Sequence, residues 1–401
     1  MKKFKSRNFL APLAGIHLSV AFLFLMAFAH GAVAASPAED SVVFTFVTMG
    51  DCRSDHPSLD MPPADRIWLE HTRPLARIIR EVQAQKPNLV VFTGDTIMGQ
   101  TTNAAELDRE YAYWRGMMTA LLEDGIYVVP VPGNHEVQVD SGQASASGKV
   151  QRLAHAEAES RWRTNMADLI LDTNLWTQLL GAPVEAWDVN NTPSIGGSDG
   201  IVSDQRQLSF SFDFHGMHFA AINTDAVGQD SHAPTHWLES DLAAAKARGN
   251  RHFFVFGHKM AFTYQIGTKT SAGGLDAFPP SRDAFWEIIR HYQAIYFTSH
   301  EHVYHTMQPE GPGADHPWQV LAGSSGAPFE AKPGQSNNPN DRKYAWTLNR
   351  VYRSGRVTME AYGFDEHYGP TGLIERIDLK GPQPSEAAEK QVQAEAARSG
   401  P

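Results

Sequence analysis

Short apolar runs and longer amphipathic stretches alternate along the first third of the chain. Residues 42–49 form a strand-like run that stops at Gly50-Asp51-Cys52-Arg53. Residues 64–85 have helical spacing, with Pro74 expected as a kink or break. A second apolar run, 89–93, ends in Gly94-Asp95, and residues 104–123 form a strong helix closed by Asp124-Gly125. A third apolar run, 126–131, leads into Gly133-Asn134-His135-Glu136. This strand–helix–strand–helix–strand order predicts a parallel sheet with right-handed crossovers. Chemistry is then expected at the carboxyl ends of the strands.

The pattern is looser beyond this point. Residues 140–148 are rich in Ser, Gly and Ala and read as loop, 150–180 as helical around Trp162 and Trp176, and 182–203 as loop again. Together 137–205 reads as an insertion over the site. Regular alternation returns at 208–214 and 217–223, a hairpin turning at His215-Gly216. A helix is predicted over 234–248, a strand over 251–256 ending in Gly257-His258-Lys259, and a helix over 281–292 with Ser281 as its cap. Strands follow at 294–298, ending in Ser299-His300-Glu301-His302, and at 318–321. An antiparallel pair, 344–352 and 356–362, turns at Ser354-Gly355. The Ala-, Glu-, Gln- and Pro-rich tail 380–401 is expected to be mobile or loosely helical.

Composition adds a compartment and a size class. The chain has 401 residues, 42% of them hydrophobic, enough for one large α/β domain. Lys2, Lys3, Lys5 and Arg7, the apolar run that follows and Ala32-Val33-Ala34 make residues 1–34 a signal peptide, with cleavage after Ala34. Removing it takes away four positive charges and no acid, shifting the formal charge from −11 to −15. A net-acidic chain is a poor non-specific binder of nucleic acid, so no nucleic-acid partner is expected. No other apolar run is long enough to span a membrane. The lone cysteine, Cys52, forms no intramolecular disulfide, which fits a periplasmic or secreted bacterial protein.

The candidate chemistry lies where apolar runs stop. Taken alone, Gly133-Asn134-His135-Glu136 reads as a strand-to-helix turn in which Asn134 caps and His135 is exposed. Five such stops change that reading: Asp51, Asp95, Asn134-His135, His258, and His300 with His302. If these strands share one sheet, their ends are neighbours about 5 Å apart. Two carboxylates, an amide oxygen and several imidazoles, without thiolate, suit Zn, Mn or Fe.

In order and spacing these motifs resemble the calcineurin-like metallophosphoesterases, in particular their purple-acid-phosphatase-like branch. The resemblance spans residues 42–365 and includes His236–Leu242 and the small-residue turn Ala322–Gly326. It implies a four-layer sandwich of two mixed sheets flanked by helices, and metal-dependent hydrolysis of phosphate esters. It also implies two metal ions: Asp51, Asp95 and His302 on one, and Asp95 (bridging), Asn134, His258 and His300 on the other. His135 would contact the phosphate or protonate the leaving alkoxide, and a metal-bound water would attack in line. A small phosphorylated substrate is expected, a monoester ahead of a diester or nucleotide.

Two positions depart from the family pattern. Arg53 stands where His or Gly is usual, and Met98 where the purple branch has a ligating Tyr. The first ion thus lacks a ligand; its site is expected to be weak or empty, to use water, or to recruit Asp55 or His56. Arg53 is a candidate for gripping a phosphate oxygen. An acid role for His135 calls for a carboxylate neighbour, with Glu136 and Asp225 as candidates. Two rival readings are a serine hydrolase using Ser198 of Gly196-Gly197-Ser198-Asp199-Gly200, and a non-catalytic binding protein on a degenerate phosphoesterase scaffold.

Overall fold

The computed structural model describes residues 40–53, 72–144, 150–266 and 273–382. The predicted signal peptide, most of the predicted tail, Asp55 and His56 lie outside the described residues. In chain order the elements are β1 (Val42–Met49), α1 (Thr72–Gln85), β2 (Leu89–Phe92), α2 (Ala104–Glu123), β3 (Tyr127–Pro130) and the single turn α3 (Asn134–Val137). Next come β4 (Gln138–Ala144), β5 (Val150–Ala154), α4 (Ala156–Met166), α5 (Thr173–Leu180), β6 (Phe210–Phe214), β7 (Met217–Ile222), β8 (Asp225–Ala226) and β9 (Gln229–Asp230). The rest is α6 (Thr235–Ala247), β10 (His252–Gly257), α7 (Pro279–His291), β11 (Ile295–Thr298), β12 (Tyr304–Met307), β13 (Gln319–Ala322), β14 (Lys343–Tyr352), β15 (Val357–Asp365) and β16 (Gly372–Lys380).

These build two six-stranded mixed sheets, β16-β15-β14-β1-β2-β3 and β12-β13-β11-β10-β7-β6. Strands β1, β2 and β3 are parallel in the first; β7, β10, β11 and β13 are parallel in the second. Phenylalanines fill the space between the sheets. The Phe46 ring lies 5.0 Å from Phe254, 5.5 Å from Phe297 and 6.1 Å from Phe219. Side chains one position along a strand point the other way. Phe253 and Val255 of β10 therefore pack outward, in a cluster with Leu238 and Leu242 of α6 and Phe285 and Ile289 of α7. On the first sheet Phe92 meets Trp114 of α2 edge-on at 5.3 Å. The result is the four-layer α/β sandwich anticipated from the motifs.

Several local expectations are corrected. Pro74 sits in the first turn of α1 and does not kink it, because a first-turn N–H has no helical acceptor to lose. Ser281 does not cap α7, which starts two residues earlier at Pro279-Pro280 with Phe278 at the cap. Residues 140–144 are not loop: they belong to β4, which pairs with β5 as an antiparallel ribbon. Residues 150–154 are strand, where a helix was predicted. Strand β16 was not anticipated, since its charged, weakly alternating sequence pairs only by adding to the edge of β15. The helices of the 137–205 stretch close the sandwich edge. Trp176 of α5 touches Tyr127 of β3 and Phe212 and Phe214 of β6, each with ring centres 5.0–5.2 Å apart.

One buried charge cluster ties the β6–β7 hairpin to α6. The His218 ring, wholly buried, sets Nδ1 2.7 Å from Asp213 Oδ1 and Nε2 2.9 Å from Asp241 Oδ2. Arg248 and Asn250 also donate to Asp213. Burial alone would lower the His218 pKa, but the hydrogen bonds that it donates to Asp213 and Asp241 outweigh burial and raise it. Burial pushes Asp213 up, and its hydrogen bonds with His218, Arg248 and Asn250 hold it at about 2. His218→Gln removes the buried cation shared by Asp213 and Asp241 and is expected to cost about 3 kcal/mol. The His218 contribution is complete below its ordinary pKa of 6.5 and is lost as pH rises through the raised folded value. The Asp213 contribution is present above 3.8 and is lost as pH falls towards 2. Denaturant unfolding of both proteins across pH should show the largest gap between these limits; a pH-independent gap would contradict this.

Candidate metal centre

The parallel strands point their carboxyl ends the same way, and the candidate residues sit just past those ends. Asp51 follows β1, Asp95 follows β2, Asn134 and His135 follow β3, His258 follows β10, and His300 and His302 follow β11. The strand ends lie in two facing sheets rather than one, so the centre forms at the seam between them. Backbone bonds keep the tips in register: Asp51 N donates to Gly94 O, Cys52 N to Asp95 O, and Ser299 N to His258 O.

The turns that carry the ligand candidates are tight. Asp51 (φ 54°), Asp95 (φ 53°) and His300 (φ 76°) all adopt the left-handed conformation that non-glycine residues rarely use. Such strain is commonly stored where side chains must be aimed. Gly94 (φ 94°) is required both by its conformation and by space, since a Cβ there would lie 2.6 Å from His258 Nδ1. Gly133 likewise leaves room for the Asp95 carboxylate against its own backbone.

Hydrogen bonds on the far side of each ring set which nitrogen faces the centre. His258 Nδ1 lies 2.9 Å from Thr93 O and 3.1 Å from Ser299 Oγ, so Nε2 faces inward. His302 Nδ1 donates to Pro328 O at 2.6 Å, and its Nε2 likewise faces inward. A carbonyl partner of this kind fixes tautomer and orientation in metal-binding histidines. His258 Nε2 lies 3.2 Å from Asp95 Oδ1, 3.0 Å from Asn134 Oδ1 and 3.1 Å from His300 Nδ1. Ligand atoms of Asp95, His258 and His300 fall within 4.8 Å of one another, the one such His/Cys/Asp/Glu group found among the described residues. Their nitrogen and oxygen donors, with the Asn134 oxygen beside them, suit a borderline divalent ion.

Asp51 and His302 stand on the other side of Asp95, with His302 Nε2 3.6 Å from Asp51 Oδ1. Asp51 Oδ2 accepts from His300 N at 2.7 Å, whereas Oδ1 is buried without a hydrogen-bond partner. Arg53 lies in the same space, its Nε 3.0 Å from Asp95 Oδ2 and its Nη2 3.1 Å from His302 Nε2. It is neither on the surface nor in a surface salt bridge.

Electrostatics follow from packing carboxylates and imidazoles together out of water. Burial pushes Asp51 well above its ordinary value. Burial would raise Asp95 too, but His258, His135 and Arg53 outweigh it and hold Asp95 well below. Burial works against a charged His258, yet Asp95 beside it pushes it up to about 9. Burial pushes His135 and His300 well below the ordinary histidine value.

His135 is buried, contrary to the exposed-turn reading of its tetrapeptide. Its Nδ1 lies 2.5 Å from the carbonyl of Met98, so the residue at the expected tyrosine position contributes through its backbone. Its carboxylate neighbour is Asp95, with 3.8 Å between His135 Nε2 and Asp95 Oδ2. Neither predicted partner fills that role: Asp225 is bound to Lys259 Nζ at 2.5 Å. Glu136 instead accepts from Gly133 N, Asp95 N, Thr96 N, Thr96 Oγ1 and Ile97 N. This cross-link, and the anchoring of His258 by Thr93 and Ser299, were not read from the sequence. A glutamate three residues after the helix-capping position was the available signal for the first.

The serine-hydrolase reading fails on local geometry. Ser198 is exposed in a run of turns with neither the strand before it nor the helix directly after it that a nucleophile elbow needs. Asp199 of that loop caps α6 by accepting from His236 N and Trp237 N.

The family model described as calcineurin-like phosphoesterase matches residues 46–304. The fold is similar to that of a purple acid phosphatase from yellow lupin (Lupinus luteus) seeds, with 13% identity and a TM-score of 0.53. That match covers 88% of this chain and 58% of the lupin chain, so this chain spans little more than half the lupin protein's length. A dimetal phosphatase from Danio rerio matches at 12% identity and a TM-score of 0.42, over 85% of this chain and 99% of that one. No curated protein sequence matches the chain.

Proposed function

The chain belongs to the calcineurin-like phosphoesterase family, and from that premise we propose that it is a metal-dependent phosphoric ester hydrolase that acts on small phosphate monoesters outside the cytoplasm. The observation that carries the reading is the convergence of Asp95, Asn134, His258 and His300 at one point, with the His258 tautomer fixed from behind. Those four residues would hold an ion. When bound, it supplies Lewis acidity for a phosphoryl oxygen and lowers the pKa of water. Export rests on the basic, apolar and small-residue pattern of residues 1–34. Among the described residues no helix is long and apolar enough to cross a membrane.

The chain's own residues divide the remaining work. Arg53 brings a fixed positive charge with N–H donors beside Asp95, which suits the dianionic head of a monoester better than a diester monoanion. His135, held by Met98 O, keeps Nε2 on the inner side of the centre, where it meets the leaving oxygen. Burial lowers the pKa of the free ring, so the proton it hands to the leaving oxygen is one that it takes up from the attacking water in the substrate complex. Glu136 acts on the backbone and holds the Asp95 and His135 loops together.

The test is a panel of matched mono- and diesters on protein supplied with Zn, Mn or Fe, with His135→Ala beside the native chain. The native chain is expected to prefer monoesters. His135→Ala is expected to keep its metal and lose about 10²- to 10³-fold in kcat/KM on alkyl phosphates, with a smaller loss on activated aryl phosphates. Equal loss on both classes would remove the acid role. Preference for a diester or nucleotide would overturn the monoester assignment, and no hydrolysis of any panel member would favour a binding protein on this scaffold.

A further inference from the structure

We propose that Arg53 takes the place of one of the two ions implied by the family, so that the centre binds a single ion beside a built-in guanidinium. The inference rests on the reading of Asp95, Asn134, His258 and His300 as an ion site. It concerns the opposite side of Asp95, where Asp51, Asp95 and His302 are the donors available for a second ion.

Two of those three donors are already engaged. Asp95 Oδ2 accepts from Arg53 Nε at 3.0 Å. His302 gives its Nδ1 proton to Pro328 O, which leaves the lone pair on Nε2, and Arg53 Nη2 lies 3.1 Å from that atom. A histidine ligates through the same lone pair. The third donor, Asp51 Oδ1, is buried without a hydrogen-bond partner, while Asp51 Oδ2 is held by His300 N. A single free oxygen falls short of the three or four protein ligands that such ions take.

The engaged group cannot step aside by losing its charge. A lysine or histidine placed here would release a proton to a competing dication; a guanidinium does not deprotonate in proteins. Its side chain is 11% exposed, so it is not a surface group that has folded inward at one end. On the near side, His258 Nε2 lies 3.0 Å from Asn134 Oδ1 and 3.1 Å from His300 Nδ1. The two halves of the centre are therefore unlike. In one the donor atoms contact one another, and in the other they are closed around the permanent cation of Arg53. In the phosphoryl complex the guanidinium offers directional N–H donors and permanent charge, without the exchangeable coordination position of a metal.

The experiment measures metal per full-length chain after reconstitution with MnCl₂, by elemental analysis and by electron paramagnetic resonance. The native chain is expected to hold one equivalent and to give the six-line spectrum of an isolated Mn(II). Arg53→Gly and Arg53→His are expected to take up a second equivalent and show a spin-coupled spectrum. Asp51→Asn and His302→Ala, in the native background, are expected to keep the single ion, which protects the test should the Arg53 variants fail to fold. Two ions in the native chain would overturn the inference and leave the four-residue site standing. One ion in folded Arg53→Gly and Arg53→His would also overturn it, as would loss of the ion in folded Asp51→Asn or His302→Ala. No ion in the native chain would overturn the four-residue site as well.

Discussion

Asp95→Asn is expected to remove both metal binding and turnover. Asp95 is the residue that every part of the centre shares. Its Oδ1 accepts from His135 N at 3.0 Å and lies 3.2 Å from His258 Nε2, while its Oδ2 accepts from Arg53 Nε at 3.0 Å. An amide has nearly the same shape but one acceptor oxygen, and its NH₂ group would oppose N–H donors on one side or the other. It also removes the negative charge that holds a dication and offsets Arg53. A bound ion contributes several kcal/mol to phosphoryl transfer, and losing about 4 kcal/mol is about a thousandfold in kcat/KM. Metal content and steady-state kinetics on one monoester, both at saturating Mn, are the measurements. An Asp95→Asn chain that holds its ion and turns over within threefold of native would show that Asp95 does not hold the ion.

Glu136→Ala should produce the largest loss of stability of any single substitution near the centre. The carboxylate is buried and accepts five hydrogen bonds, four of them from backbone N–H groups of the loops after β2 and β3. A stranded buried donor costs about 1–3 kcal/mol, so even partial rearrangement leaves a loss of at least about 4 kcal/mol. Glu136→Gln keeps one acceptor and should fall between. Urea unfolding of metal-free protein reads this directly, apart from any effect on catalysis. A midpoint for Glu136→Ala within error of native would mean that other groups hold these loops together. The sequence placed Glu136 beside His135 as a possible proton partner, yet the structure uses it one step further back, to fix the backbone that aims Asp95 and His135.

Much of the fold was legible because its signals are local. The first three strands, the helix from Ala104 to Glu123 and the β6–β7 hairpin follow from apolar runs, alternation and glycine or proline breaks, all of which act over a few residues. The elements misread were those whose state depends on a distant partner. Residues 140–144 and 150–154 become strand by pairing with each other, and Gly372–Lys380 by adding to β15. Their own composition favours neither strand nor core. Among the candidate site residues, Asp51, Asp95, Asn134, His258, His300 and His302 were recognisable as polar groups that end apolar runs. The carboxylate beside His135 was not, because Asp95 reaches it across a strand end rather than along the chain.

The sequence by itself determined the inventory: which runs are buried, which polar residues stand at their ends, and in what order, since burial and turn formation are dictated by neighbours in the chain. The tertiary structure decided how that inventory is shared between two sheets, which imidazole nitrogen faces inward, and where the charges go. Arg53 shows the difference most plainly. Two residues after Asp51, its charge and length were evident. Only the closing of two sheets over one seam puts its guanidinium between Asp95 and His302, because that placement is set by groups 42 and 249 positions away in sequence.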